Sequence, residues 1–335
     1  MRKRLIGGIV LLALVGGMVL QGEGHAAPVI IRLSSGLPEN QFIEKQFIEW
    51  GNLIEQNSKG GLKVQFYHSA QLYRDHEVIK AVQLGAIESA NLYTMYLESQ
   101  LVPAMKIYQI PFLFKSMDET VRVMEAEIGA AMEKTAEDKG IKLLAMVCWP
   151  SPEDIIIGTT KSVKNLSDIK GMVIRAVSPE SSAVLKKWGA GPSFITGAEV
   201  YMAMQRGTIN GAIMSLINYW ERKHYEVAPH AIFLPIMAVH SFIGMNKGFF
   251  GRLPPEQQKV VVEASKVVEK NSEAVAMKAL EEFTREVGKK STLYKPAPAE
   301  MAQWREGLPD MWEDMLKSHQ EALAALKQVR KLLNR

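Results

Sequence analysis

Gly171-Met172-Val173-Ile174-Arg175-Ala176-Val177-Ser178-Pro179-Glu180 reads as a short apolar strand running straight into the start of a helix. Ser178 is a good N-cap, Pro179 suits the first helical position, and Glu180 suits the positive end of the helix, so the break between strand and helix is sharp. An arginine at the carboxyl end of a strand, beside a helix N-terminus in an α/β protein, stands where small ligands bind. The fork of donors on Arg175 suits a carboxylate. Position alone fits a surface arginine paired with a neighbouring acid equally well, so the surrounding chain has to decide.

On the N-terminal side, strand and helix periods alternate. Val29 to Leu33 is a short apolar strand, and after Pro38-Glu39-Asn40 the residues Phe42, Ile43, Phe47, Trp50, Leu53 and Ile54 share one helical face until Gly60-Gly61 stops it. Leu62, Val64 and Phe66 alternate with polar residues, a helix runs from about Asp75 to Leu84, Gly85 ends it, and Ile87 to Tyr93 forms a third strand. This β-α-β-α-β unit is the kind that builds a parallel sheet. A second series starts with a strand at Ile141 to Val147 and the proline pair in Trp149-Pro150-Ser151-Pro152, which marks a crossing or hinge. It continues with the strand ending at Arg175, a helix from Pro179 to Trp188, a strand near Ser193 to Ile195, a helix from Ala198 to Arg206 and a strand from Ile209 to Ser215. After a strand at His240 to Met245, Leu253-Pro254-Pro255-Glu256 opens a helix reaching about Gly288, long enough at ~1.5 Å per residue to lie across two lobes as a strut. The tail from Met301 to Arg335 is charged, helical and periodic.

The chain has 335 residues, 47% hydrophobic and 23% charged, which is ordinary globular material with room for two domains. Met1-Arg2-Lys3-Arg4 followed by the apolar run Leu5 to Leu20 and the small residues before Ala27 has the order of an export signal, with cleavage expected after Ala26. A retained membrane anchor is disfavoured because the run is short for a span. Losing Arg2, Lys3, Arg4 and Glu23 brings the formal charge of +4 closer to neutral, which offers nucleic acid no attraction. Cys148 is the only cysteine, so no disulfide can form within the chain, and a core of this size can manage without one.

Motifs for covalent or metal chemistry are weak. His76-Glu77 lacks the second histidine that a zinc helix needs one turn on, and no cysteine or carboxylate cluster has metal spacing. Ser167-Asp168-Ile169-Lys170 has a penicillin-enzyme spacing without its partner motifs and reads as a turn. There is no nucleophile elbow, phosphate loop or dinucleotide glycine pattern. No cofactor is expected.

Several stretches together resemble the solute-binding proteins of tripartite ATP-independent periplasmic (TRAP) transporters, the DctP family. They are Gly60-Gly61-Leu62-Lys63-Val64, Ser69-Ala70-Gln71-Leu72, Ala81-Val82-Gln83-Leu84-Gly85-Ala86-Ile87, Ile110-Pro111-Phe112-Leu113-Phe114, Leu166 to Arg175, and Glu199 to Gly211. The resemblance implies a two-lobe α/β periplasmic binding protein, type II-like, with hinge strands and a long helix spanning both lobes. It places lobe I at 27–152 plus 240–280 and lobe II at 153–239 plus 281–335. It also implies a small organic acid as ligand, the TRAP integral membrane subunits as partners, a periplasmic location, a monomer and no catalysis.

The family's carboxylate-binding arginine falls on Arg175, and a buried carboxylate does need a permanent cation. Departures from the family then shape the expected pocket. Glu153-Asp154 stands where well-known members carry a second arginine, Met214 where an asparagine is common, Gly197 where sialic-acid binders use a bulky aromatic, and Tyr93 where they use an acid. Asn91, Asn218, Trp149 and Trp220 complete the expected contact set. Each departure removes charge or frees volume, which favours a monocarboxylate with an aromatic or branched apolar body stacked on Tyr93, Trp149, Met214 and Trp220. An amino acid, its amino group on Glu153 or Asp154, ranks second and a C4-dicarboxylate third. Two other classes stay open: a sensory binding protein, and a periplasmic enzyme using Glu153 or His68 as base.

Overall fold

A computed structural model describes residues 27–335, so the expected export signal lies outside the described residues. The first sheet is built from β1 (Val29–Ser34), β2 (Leu62–Tyr67), β3 (Ser89–Tyr93), β4 (Ile141–Cys148) and, much later in the chain, β10 (His240–Asn246). Its order is β2-β1-β3-β10-β4, with β1 parallel to β2 and β3, and β10 antiparallel to β3 and β4. The second sheet holds β5 (Ile155–Thr159), β6 (Val173–Arg175), β7 (Gly191–Ser193), β8 (Gly211–Ser215), β9 (His230–Phe233) and β11 (Thr292–Tyr294). They are ordered β11-β9-β5-β8-β6-β7. Each sheet therefore has a parallel block, as the alternating periods predict, and one strand antiparallel to both its neighbours, β10 in the first sheet and β5 in the second.

The result is two α/β lobes joined by crossing strands, the architecture of type II periplasmic binding proteins. The chain crosses between β4 and β5 and returns between β9 and β10, and the two crossings are tied together where the Val239 N–H donates to Ser151 Oγ at 3.0 Å. Phe112 joins them from the side, its N–H donating to the Pro235 carbonyl at 2.9 Å.

The strut is a single helix, Pro255–Gly288, of 34 residues. Val261, Ala264 and Val268 pack in the first lobe's core with Trp50, whereas Val287 packs in the second lobe with Tyr219. Three polar side chains on its first-lobe half make specific contacts. Ser265 Oγ accepts from the Trp50 indole at 2.9 Å, Glu269 from the Met146 N–H at 2.8 Å, and Ser272 from the Cys148 N–H at 2.7 Å. The last two satisfy donors on β4, an edge strand that the helix covers.

The tail departs from the expected domain division. Trp304 and Leu308 pack in the second lobe against Trp188, but Trp312, Leu316, Leu326 and Val329 lie in the first lobe's core with Met105, Tyr108 and Phe242. Trp312 also donates its indole N–H to the Pro111 carbonyl at 2.9 Å. The segment 312–332 thus belongs with the first lobe, not the second. An amphipathic period specifies a face to bury but not which core receives it.

Candidate functional site

The stretch that opens the second lobe folds as its residues dictate. Ser178 is extended at φ −151°, ψ 165°, and its hydroxyl accepts from the Ser181 N–H at 3.2 Å to start the helix Pro179–Lys187. β6 is only three residues long and lies between β8 and β7, so Arg175 ends a strand inside the sheet, opposite Ala212 and Ser193. Two backbone carbonyls hold its guanidinium. Nε donates to Ile195 at 3.2 Å and Nη1 to Ile213 at 3.0 Å, leaving the Nη2 amino group without a hydrogen bond among the described residues. Burial, and secondarily the positive charge of Arg222, push its pKa down to about 10, so it stays cationic at neutral pH.

Four aromatic rings form a wall in the first lobe. Tyr93 lies 6.3 Å from both Tyr96 and Trp149, and Phe42 meets Trp149 edge-on at 5.5 Å. Burial raises the pKa of Tyr96, and the charge of Arg175 works in the opposite direction. Asn91 shares a face of β3 with Tyr93 and points its Nδ2 toward Ser35 Oγ at 3.5 Å, while its Oδ1 is buried without a partner.

The lobes touch on both sides of the gap between them. Gln41 Nε2 donates to Glu221 Oε2 at 2.6 Å, and Lys106 pairs with Glu180 at 2.8 Å and Glu98 at 3.6 Å, all three side chains largely removed from water. These contacts describe a closed arrangement.

Other expected contact residues are occupied elsewhere. Both oxygens of Glu153 accept from the Met117 N–H, at 2.9 and 3.0 Å, so this carboxylate caps the helix Met117–Glu125 instead of awaiting an amino group. Trp149 is 4% exposed and donates to Ser241 Oγ at 3.1 Å, so it backs the wall instead of presenting its face. Met214 is buried beside Tyr219 and Val200 in the second lobe. Trp220 stacks on Tyr225 at 5.2 Å, within its own lobe. Asn218 lies half-buried in the first turn of the helix Leu216–Glu221, its N–H held by Ser215 Oγ at 3.1 Å. Gly197 lies in the turn between β7 and the helix Val200–Gln205, beneath Arg222.

Asp154 is fully buried, and neither carboxylate oxygen has a hydrogen-bond partner. Desolvation and then the charge of Glu153 raise its pKa well above the usual range, which holds it toward the neutral acid. An acid whose folded pKa lies above its unfolded value supports the native state while protonated. That support is complete below the unfolded pKa and is lost as pH rises through the folded one. Asp154→Asn is therefore expected to melt above the wild type at neutral pH, with a gap that widens as pH rises above the usual carboxylate range. Melting curves in which the gap is absent or narrows with pH would contradict an ionisable strain at this position.

Reading from sequence missed Arg222 and the place of Phe42 in the wall. Glu221-Arg222-Lys223 reads as a solvated helix end. The available signal was position: the helix carrying Arg222 starts at the carboxyl end of β8, beside the strand that carries Arg175. His68, the other candidate base, has its Nδ1 2.7 Å from Glu44 Oε1, and Glu44 also takes the Ser35 hydroxyl at 2.6 Å. No group of three or more metal-ligating side chains gathers among the described residues. A cavity of about 830 Å³ lies apart from these groups, between Phe112, Pro235 and the segment 298–310.

Comparison with known proteins agrees with this geometry. Residues 33–319 match the family described as bacterial extracellular solute-binding protein, family 7. The chain is 26% identical to the C4-dicarboxylate-binding periplasmic protein DctP of Rhodobacter capsulatus, over 97% of this chain and 98% of that one. Among solved structures, a TRAP periplasmic solute-binding protein of Chromohalobacter salexigens with bound D-glucuronate superimposes with a TM-score of 0.82 at 18% identity, covering 90% of this chain and 99% of that one. One from Shewanella oneidensis with bound succinate gives 0.78 at 24%, covering 90% and 100%. With the family model spanning most of the chain, the two-lobe fold and the arginine at the end of β6, the protein belongs to the DctP family of TRAP-transporter periplasmic solute-binding proteins, which bind solutes and do not catalyse reactions.

Proposed function

We propose that the protein captures a small organic acid in the periplasm, closes over it and delivers it to the membrane subunits of a TRAP transporter. The observation that carries this reading is the guanidinium of Arg175, fixed by two carbonyls with its Nη2 group left to the cleft. Fixing the fork beforehand removes the ordering cost of a paired arginine-carboxylate contact. Closure then excludes water, and the lower effective dielectric strengthens the pair.

The aromatic wall of Phe42, Tyr93 and Tyr96, backed by Trp149, supports a ligand with one carboxylate and an aromatic or branched apolar body. The amino-acid alternative loses its main support, because Glu153 is bonded to a helix end and Asp154 is sealed away from the wall. A thermal-shift screen of organic acids tests the proposal. Aromatic and branched monocarboxylates are expected to raise the melting temperature most. A ranking led by succinate or malate would overturn the apolar-body assignment, and no response to any acid would overturn acid capture itself.

A further inference from the structure

Asn210 stands immediately before β8 and ties together three strands of the second sheet. Its backbone N–H donates to the Val173 carbonyl at 2.7 Å, and its side-chain Oδ1 accepts from the Val173 N–H at 2.8 Å. Both backbone groups of Val173, the first residue of β6, are thus taken by one residue. The Asn210 carbonyl accepts from the Thr160 N–H at 2.9 Å and the Thr160 hydroxyl at 3.2 Å, just beyond the end of β5. In a parallel ladder the Val173 N–H would donate to a carbonyl of the neighbouring strand, and β8 starts too late to offer one. The Asn210 side chain takes its place.

A strand of three residues has few ladder bonds to hold its register, so a bond at its first residue carries much of the task. Register in turn decides where Arg175 points. With Val173 held at Asn210, Ile174 pairs with Gly211 and Arg175 with Ala212. The next residue of β8, Ile213, then offers its carbonyl to Arg175 Nη1 at 3.0 Å. β8 is a firm base for this clamp, because it lies so tight against β5 that a Cβ on Gly211 would stand 2.9 Å from the Gly158 carbonyl oxygen.

We infer that Asn210 is a positioning residue for ligand capture: its side-chain oxygen sets the register of β6 against β8, and through it the aim of the Arg175 guanidinium. The inference rests on the organic-acid reading above, in which Arg175 takes the carboxylate, and adds a residue that acts from the amino end of the strand whose carboxyl end carries Arg175. What the clamp needs is an acceptor. The Asn210 amide nitrogen makes no hydrogen bond among the described residues, so an aspartate oxygen serves equally well.

Asn210→Ala, Asn210→Leu and Asn210→Asp in the purified full chain test this by two readouts; leucine keeps the side-chain volume should alanine unsettle the loop. The first readout needs no ligand. In nitrogen-15 NMR of the arginine Nε–H groups, the Arg175 resonance is assigned by its loss in Arg175→Met. Held on the Ile195 carbonyl, its proton should exchange slowly in the wild type and in Asn210→Asp, and about tenfold or more faster in the alanine and leucine variants. The second is calorimetric titration with phenylacetate, 4-methylpentanoate and succinate. Whichever of these the wild type binds should bind about tenfold weaker to Asn210→Ala and Asn210→Leu, and Asn210→Asp should restore its affinity to within about twofold. A lower melting temperature with Arg175 exchange or acid affinity unchanged would make Asn210 a stabilising turn residue only and overturn the inference, leaving the carboxylate site standing. Failure of Asn210→Asp to restore either readout overturns the acceptor role. Binding of none of the three acids by the wild type counts against the organic-acid reading instead, and the exchange rates then decide the positioning role by themselves.

Discussion

Arg175→Ala is expected to cost about 2–5 kcal/mol of ligand affinity, a loss of roughly 30-fold to several thousand-fold, because a carboxylate closed off from water would lose its fixed cation. Arg175→Lys keeps the charge but not the fork, and a lysine cannot reproduce two parallel hydrogen bonds. It should still fall about tenfold or more below the wild type. The unliganded melting temperature should barely move in either variant. Arg175 gains two carbonyl bonds on folding, but burial and Arg222 both work against its charge, so its net contribution to stability is small. Calorimetry and melting curves on the same samples separate a binding role from a folding role. Unchanged affinity in the alanine variant would remove Arg175 from the site.

Lys106→Met is expected to produce the largest loss of stability, about 3–5 kcal/mol. Lys106, from the short helix Pro103–Gln109 of the first lobe, is the cation between Glu98 and Glu180, and Glu180 comes from the other lobe. Lys106 and Glu180 are 6% and 3% exposed, so removing the cation leaves two buried acids facing each other with little water to shield them. Breaking a buried pair is far more costly than replacing the whole group. The triple variant Lys106→Met, Glu98→Gln, Glu180→Gln should therefore recover much of the loss. Because the pair bridges the lobes, the single variant should also scatter X-rays as a more extended particle. Urea unfolding within about 1 kcal/mol of the wild type would refute this bridge as a structural link.

Much of the fold is legible in the order of residues. The parallel blocks follow from apolar strands separated by helical periods and glycine stops, and the strut follows from an uninterrupted pattern opening at Pro255. Arg175 stands out because strand, cap and helix start succeed one another within ten residues, leaving one place for the side chain. What is not legible depends on contacts distant in sequence. β11 is three residues and β9 four, too short to show a period. The strands at 191–193 and 211–215 begin two residues away from the expected positions because pairing, not hydropathy, sets their ends. Residues 94–140 give no expected element, yet they fold into helices that close the first lobe's core. Trp149 and Trp220 show the limit for the site. An aromatic beside a strand end can as easily be packed into its own lobe, and both are. Arg222 shows the converse, an exposed charge that the turn at Gly197 brings near enough to lower the pKa of Arg175.

The strut has a further consequence. Polar anchors pin it to the first lobe at Ser265, Glu269 and Ser272, but from Glu273 to Gly288 no described side-chain hydrogen bond ties it to the second lobe. There its own Leu280, Phe283 and Val287 pack into the second lobe's apolar cluster with Tyr219 and Ala231, and such greasy contacts have no preferred angle. One end is a fixed axle and the other a lubricated bearing, so the second lobe can swivel without breaking a directional bond to the rod that carries it.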